Sequence, residues 1–367
     1  MRVRLEDVCE KESSKLKQSD VIDQNGLYPV YGASGYLGSI NTYQQSNYYV
    51  AVVKDGAGIG RTMLLPPKSS IIGTMQYLIP KDNVHPEYLY YVVKAKHLEK
   101  YFSGATIPHI YFKDYKNEQF DLVSFEKQRD IINRLKKIEI IIDSLSKILV
   151  LLDELVRARF VEMFGDPRIN DKKWKTGKIV DYFEVKGGKR IPKGMGYAER
   201  KTNHPYLRAS DMKNATILDD DIHYIDEEVY KRIKRYTVNA HDIYLTNVGV
   251  NLGMAGVIPK KYDGANLTEN AVKLVPKDKI LLNGMFLSYY INSPGIQHYI
   301  NERKMSVGVP KLAIFRIESM PLLLPPLELQ NQFASFVEEI DKSRSRIQKS
   351  LEASQELFDS LMQEYFG

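Results

Sequence analysis

The stretch Lys186-Gly-Gly-Lys-Arg-Ile-Pro-Lys193 sets Lys186, Lys189, Arg190 and Lys193 around glycines. Cations answer phosphates, and glycines let backbone N–H groups approach them too. Downstream, Asn203-His-Pro-Tyr-Leu-Arg-Ala-Ser-Asp-Met212 offers Arg208 and Ser210, while Asn247, Asn251, Thr268 and Asn270 place amides and a hydroxyl in expected turns. Amide side chains suit adenine and arginine suits guanine, because each makes two hydrogen bonds to a base edge. The earlier part of the chain is thinner. Ser34, Tyr36, Lys54 and Arg61 lie in or beside two Gly-rich turns, His109 and Lys113 follow Pro108, and Lys304 and Lys311 flank Pro310. Singly, each of these residues also suits a solvated loop; the cluster is what points to a polyanion. The formal net charge of +6 fits local basic patches on a mixed surface, with nucleic acid as the leading partner class.

Residues for covalent chemistry are missing. An adenine methyltransferase needs Asn/Asp-Pro-Pro-aromatic to orient the flipped base. The Pro66-Pro67 and Pro325-Pro326 pairs follow Leu65 and Leu324 and precede Lys68 and Leu327, so neither qualifies, and no flipped base is expected here. Gly187-Gly188-Lys189 lacks the spacing and the hydroxyl of a nucleotide-phosphate loop. Gly56-Ala-Gly-Ile-Gly60 is close to a dinucleotide fingerprint but has one Gly shifted; a tight turn at a hairpin tip explains it better. The histidines are scattered and lack cysteine partners, so no metal site is expected. Asp219-Asp220-Asp221 is weighed as a cation site and reads better as a solvated loop.

A chain of 367 residues suits two domains, and its 43% hydrophobic content allows real cores. Cys9 is the only cysteine, which excludes an internal disulfide. The first ten residues do not read as a signal peptide, and Ile138–Leu155, the most apolar run, is broken by charges. The expected location is the cytoplasm, with no membrane partner.

The elements that must position these residues are written twice. Laying Pro310 over Pro108 puts Leu324 on Leu122, Glu328 on Glu126, Gln330 on Gln128, Phe366 on Phe164 and Gly367 on Gly165, without a gap. Upstream, with small shifts, Gly249 and Gly253 match Gly56 and Gly60, and Phe286-Leu-Ser-Tyr289 matches Tyr88-Leu-Tyr-Tyr91. Each half thus has a variable front and a repeated back.

The back carries a heptad seam: Leu135, Ile138, Ile142, Leu145, Leu149 and Leu152 in the first half, and Val337, Ile340, Ile347, Leu351 and Phe358 in the second, where Arg344 and Ser354 weaken it. Shared register points to the two helices pairing with each other. The fronts read as β-rich globules, with strands expected at Tyr48–Val53, Met75–Ile79, Asp242–Thr246 and Ala271–Val275, and helices at Pro86–Leu98 and Leu282–Ile291. The polar segment Gly165–Trp174 reads as a linker.

The expected fold is therefore α+β: a globule over 1–125, a coiled-coil helix over 126–165, a second globule over 166–327 and a second helix over 328–367. Antiparallel pairing about a pseudo-twofold axis would put the globules at opposite ends. Each helix spans about 58 Å at ~1.5 Å per residue. That exceeds one turn of DNA at ~3.4 Å per base pair, so the helices would act as a ruler between two reading heads.

This order of globule, helix, globule, helix resembles the specificity subunit of Type I restriction-modification systems. The similarity is carried by Tyr28-Pro-Val-Tyr-Gly-Ala-Ser-Gly-Tyr-Leu-Gly38, Ser103-Gly-Ala-Thr-Ile-Pro108, Phe160-Val-Glu-Met-Phe-Gly-Asp-Pro167 and Leu327-Glu-Leu-Gln-Asn-Gln332, and by their duplication. The resemblance implies a non-catalytic, sequence-specific DNA-binding subunit with two target-recognition domains and a bipartite, asymmetric target. It also implies partners: double-stranded DNA, two modification subunits docked on outer helix faces that include Arg157, Arg159, Lys342 and Arg346, and restriction subunits joined through those. S-adenosylmethionine and ATP would sit on the partners and not on this chain. Resemblance and residue type together put the loops named above on the DNA face. Two other readings stay open: a coiled-coil scaffold holding proteins or glycans, which predicts no salt-sensitive DNA affinity, and a stand-alone methyltransferase or nuclease, which predicts cofactor binding.

Overall fold

A computed structural model describes residues 1–367 apart from 23, 105–107, 214, 278–281 and 306. The chain forms two compact units, Met1–Ile148 with Ile347–Gly367, and Leu149–Arg346. Each unit therefore holds one globule and a length of both long helices.

In the first unit four antiparallel strands lie in the order Cys9–Ser13, Met75–Pro80, Tyr49–Val53, Thr62–Leu65. Tyr49–Val53 is buried throughout. Side chains alternate across a strand, so Val50 and Val52 face one core while Tyr49, Ala51 and Val53 face another with Met75 and Tyr77. A smaller sheet joins Gly35–Ile40, Tyr28–Gly32 and Ser70–Ile71, the last pairing being parallel. The helix Pro86–Ala95 starts at a proline and is capped by His85, whose side chain accepts from the Glu87 N–H. Its buried Tyr88, Leu89, Tyr91, Val92 and Val93 share a core with Ile131, Leu135, Phe358 and Phe366 of the long helices. The helix ends at Ala95 and not at the expected Leu98, because His97 adopts a left-handed conformation, φ 47°.

The second unit repeats this plan. Its larger sheet runs Phe183–Gly187, Ala271–Pro276, Ile243–Thr246, Ala255–Val257, and its smaller sheet runs His223–Tyr224, Pro205–Leu207, Asn266–Leu267, again with one parallel pair. In both units an opening strand pairs with the strand just ahead of a long helix: Arg2–Arg4 with Gln119–Asp121, and Lys175–Lys178 with Pro321–Leu324.

The long helices are Phe125–Phe164 and Leu327–Phe366. They run antiparallel within each unit. In the first, Ile131, Leu135 and Ile138 share a core with Phe358, Met362 and Phe366, and Phe358 packs on Tyr91, whose hydroxyl donates to Glu139 at 2.6 Å. In the second, Phe333 meets Phe160 and Phe164, and Arg344 pairs with Asp153 at 2.7 Å. The expected seam is the buried stripe: Leu135, Ile138, Val337 and Phe358 are buried, and Ile142, Leu145, Leu149, Leu152, Ile340, Ile347 and Leu351 are half-buried between exposed neighbours. Arg344, which replaces the Ile142 of the first copy, closes its charge on Asp153 and Asp341.

The segment read as a linker folds back. The Trp174 indole N–H donates to the Phe164 carbonyl at 3.0 Å, and Asn170 hydrogen-bonds both the N–H and the carbonyl of Trp174. The indole bond caps the end of the first long helix, where carbonyls otherwise lack partners, and Asn170 holds Trp174 in place for it.

Candidate nucleic-acid interface

One end of the larger sheet gathers the loops in each unit. In the first, the hairpin Tyr49–Val53/Thr62–Leu65 turns through Gly56–Gly60. The Gly56 N–H donates to the Pro108 carbonyl and the Ile110 N–H to the Lys54 carbonyl, both at 2.9 Å. Nδ1 of His109 lies 2.7 Å from Oδ1 of Asp55, and Lys54 pairs with the same carboxylate at 3.3 Å. Arg61 donates to the Ala33 carbonyl at 2.7 Å, drawing in the hairpin tip that exposes Ser34 and Tyr36. Ser34, Tyr36, Lys54, Arg61 and His109 thus share one set of linked loops. Lys113 is exposed, with its ammonium 5.3 Å from the centre of the Tyr111 ring. Of the Ser103–Pro108 stretch, residues 105–107 lie outside the described residues.

The second unit makes the same hydrogen bonds with different side chains. Gly249 donates to Pro310 at 2.9 Å, and Leu312 to Asn247 at 2.8 Å. The Asn247 N–H reaches the Asn270 carbonyl, Gly188 reaches Ala271 and Lys189 reaches Leu267, so the basic stretch and the amide-bearing turns converge. Lys186 pairs with Glu184 and Arg190 with Glu269, each at 2.5 Å. Burial pushes the Glu269 carboxyl up, but the hydrogen bond and charge of Arg190, with a backbone N–H and the Thr268 hydroxyl, together hold the group below the usual carboxylate range. Lys189 lies over the Tyr236 ring, and Lys304 donates to Asn301. Lys193 and Lys311 are exposed and form no ion pair among the described residues. Ser210 is exposed, with its hydroxyl on Asp211; Asn251 is half-buried, and its carbonyl accepts from the Thr246 hydroxyl.

Three of the named residues do not present base-reading groups at the surface. Arg208 is committed to Asp211 at 2.7 Å and Asp221 at 3.0 Å. Asn247 and Thr268 are each only 5% exposed; Asn247 donates to the Leu312 carbonyl, and Thr268 bonds Glu269. The acidic run is also engaged, with Asp219 on Lys261 and Tyr262 and Asp221 on Arg208.

Lys15 and Lys17, which the sequence reading did not single out, lie at the same sheet end in the first unit. Both are exposed in the loop after Cys9–Ser13, as Lys189, Arg190 and Lys193 come after Phe183–Gly187. Among the described residues no helix is long and apolar enough to cross a membrane.

The family described as Type I restriction modification DNA specificity domain matches residues 1–153 and 171–355. The MjaIX specificity subunit of Methanocaldococcus jannaschii is 24% identical over 306 residues, covering 78% of this chain and 69% of the relative. The Escherichia coli EcoBI specificity subunit is 23% identical over 145 residues, 40% of this chain and 30% of its own. Among solved structures, the S subunit of a Type I system from M. genitalium superposes with TM-score 0.63 at 16% identity, covering 100% of this chain and 96% of that one. A chain from a study of Type I complex assembly and conformational transition gives 0.61 at 13% identity, covering 100% and 97%. The duplicated architecture and the family match across both halves agree, and this chain belongs to the Type I restriction-modification DNA specificity family.

Proposed function

We propose that this chain reads a bipartite, asymmetric DNA target, one half-site per unit, and directs adenine methylation and restriction carried out by partner subunits in the cytoplasm. The observation that carries this reading is the recurrence of one loop framework on two different sets of side chains. Gly56–Pro108 and Gly249–Pro310 are the same hydrogen bond, yet Asp55, Ala57 and His109 stand where Val248, Val250 and Lys311 stand in the second copy. An identical frame with different donors, acceptors and charges is what two readers of unlike half-sites require.

Phosphate contacts come from the exposed Lys15, Lys17, Lys193 and Lys311, and base contacts from Tyr36, Ser34 and Asn251. The continuous long helices set the length of the unspecified spacer. Their outer faces dock two modification subunits, through Arg157, Arg159, Lys342 and Arg346 and the exposed apolar Leu151 and Leu155. Restriction subunits join through those. The chain itself does no covalent chemistry, and S-adenosylmethionine and ATP belong to the partners. The test is co-expression with a modification subunit, followed by sequencing of host DNA for N6-methyladenine. A split motif that vanishes when this chain is omitted supports the reading; a stable, active complex that leaves no such motif overturns it.

A further inference from the structure

Two loop tips of the second unit expose aliphatic side chains almost completely. Val250 is 97% exposed and Val307 is 96% exposed, with Met305 and Val309 also exposed beside them. These tips are neighbours: Gly249 donates to Pro310, and Lys311 bridges to both Val248 and Met305. Gly249 at φ 104° and Gly308 at φ 77° hold conformations that other residues rarely adopt, so the turns that project the valines are built in. Exposed valines contribute nothing to the core, and clustered exposed apolar side chains mark an interaction site.

The surroundings select the partner. Lys304 and Lys311 flank the tip, Arg316 follows, and no Asp or Glu occurs between Lys304 and Ile317 or between Asn247 and Gly256. An apolar point in a cationic frame fits a DNA groove. The side chains that wedge between base steps are Phe, Leu, Ile, Met and Pro, and valine is not among them. Its methyls do match the one apolar group on a base edge in the major groove, the thymine C5-methyl.

We propose that Val250 and Val307 read thymine methyl groups in the half-site recognised by the second unit. This rests on the reading of the chain as a DNA specificity subunit. In the first unit Ala57 occupies the position of Val250, so that contact is specific to one half-site.

The test uses the complex with its modification subunits, once the methylated motif is known. Each thymine of the second half-site is replaced singly by deoxyuridine, which removes only the methyl. Affinity is expected to fall about fourfold at one or two positions, the worth of one buried methyl group of ~0.8 kcal/mol. Val250→Ala with Val307→Ala should bind the thymine and deoxyuridine duplexes equally well. Both valines are surface residues, so the variant should fold and keep its first half-site. Failure to find any bipartite motif would remove the specificity reading itself. A motif whose second half lacks thymine, deoxyuridine duplexes bound as tightly as thymine, or a double variant that still discriminates would each overturn this inference alone.

Discussion

Gln128 accepts the backbone N–H of His85 on its side-chain oxygen at 2.8 Å, and its amide nitrogen donates to the Asn83 and Val123 carbonyls. The residue is fully buried at the start of the first long helix. Gln330 does the same in the second copy, accepting from the Asn283 N–H at 2.8 Å and donating to the Pro325 carbonyl. One amide thus ties each short helix start to its long helix. Replacing Gln128 by Leu keeps the bulk and strips partners from buried backbone groups. An unsatisfied buried group costs ~1–3 kcal/mol, so urea unfolding should show a loss of at least that size. A change confined to the error of the measurement would mean that the amide is incidental.

The two faces of the first helix should separate stability from assembly. Leu135 is wholly buried in the seam, whereas Leu151 and Leu155 are exposed. Leu135→Ala should cost ~2–5 kcal/mol in unfolding. Leu151→Ala with Leu155→Ala should leave the unfolding curve nearly unchanged and weaken capture of the modification subunit in a pull-down. Equal losses of stability from both variants would contradict this division.

Arg208 and Lys193 should behave differently although both are cations of the same front. Arg208 neutralises Asp211, which is buried, so Arg208→Ala leaves a carboxylate unpaired and should destabilise the second unit by ~3–5 kcal/mol. Lys193→Ala should leave stability intact and reduce the slope of log affinity against log salt by ~1, the mark of one lost phosphate contact. Measured together, unfolding and salt titration distinguish the two roles.

Cys9 provides a pH-dependent probe. Burial pushes its thiol up to about 12, and its sulfur donates to the Leu5 carbonyl at 3.2 Å. The native thiol therefore holds its proton across the range in which the unfolded one, with pKa ~8.5, loses it. Its contribution to stability is complete below that value and falls away as pH rises toward the folded value. Native protein at pH 8 should resist a thiol reagent that labels it promptly in denaturant. Fast native labelling would show that the strand Cys9–Ser13 opens easily.

What was legible in the sequence followed from periodicity. The seam from Leu135 to Phe358 could be read because burial on one helix face recurs every three or four residues, and the hairpin tip at Gly56–Gly60 because glycines mark turns. Gln128 and Gln330 stood out as matches, but their hydrogen bonds depend on backbone groups distant in the chain. Arg208 and Asn247 were legible by residue type only: nothing local tells that Asp211 and Asp221 fill the guanidinium, or that Asn247 sits under Leu312. Lys15 and Lys17 carry no glycine signature, and their 14–17 loop became visible through the sheet end it shares with the 54–61 and 73–74 loops.

The proposed function requires two independent readers in one chain. The most direct test exchanges residues 1–125 for the corresponding front of another family member and sequences N6-methyladenine in cells that carry the modification subunits. One half of the methylated motif should change while the other half and the spacer stay the same. A change in both halves, or in neither, would contradict the account.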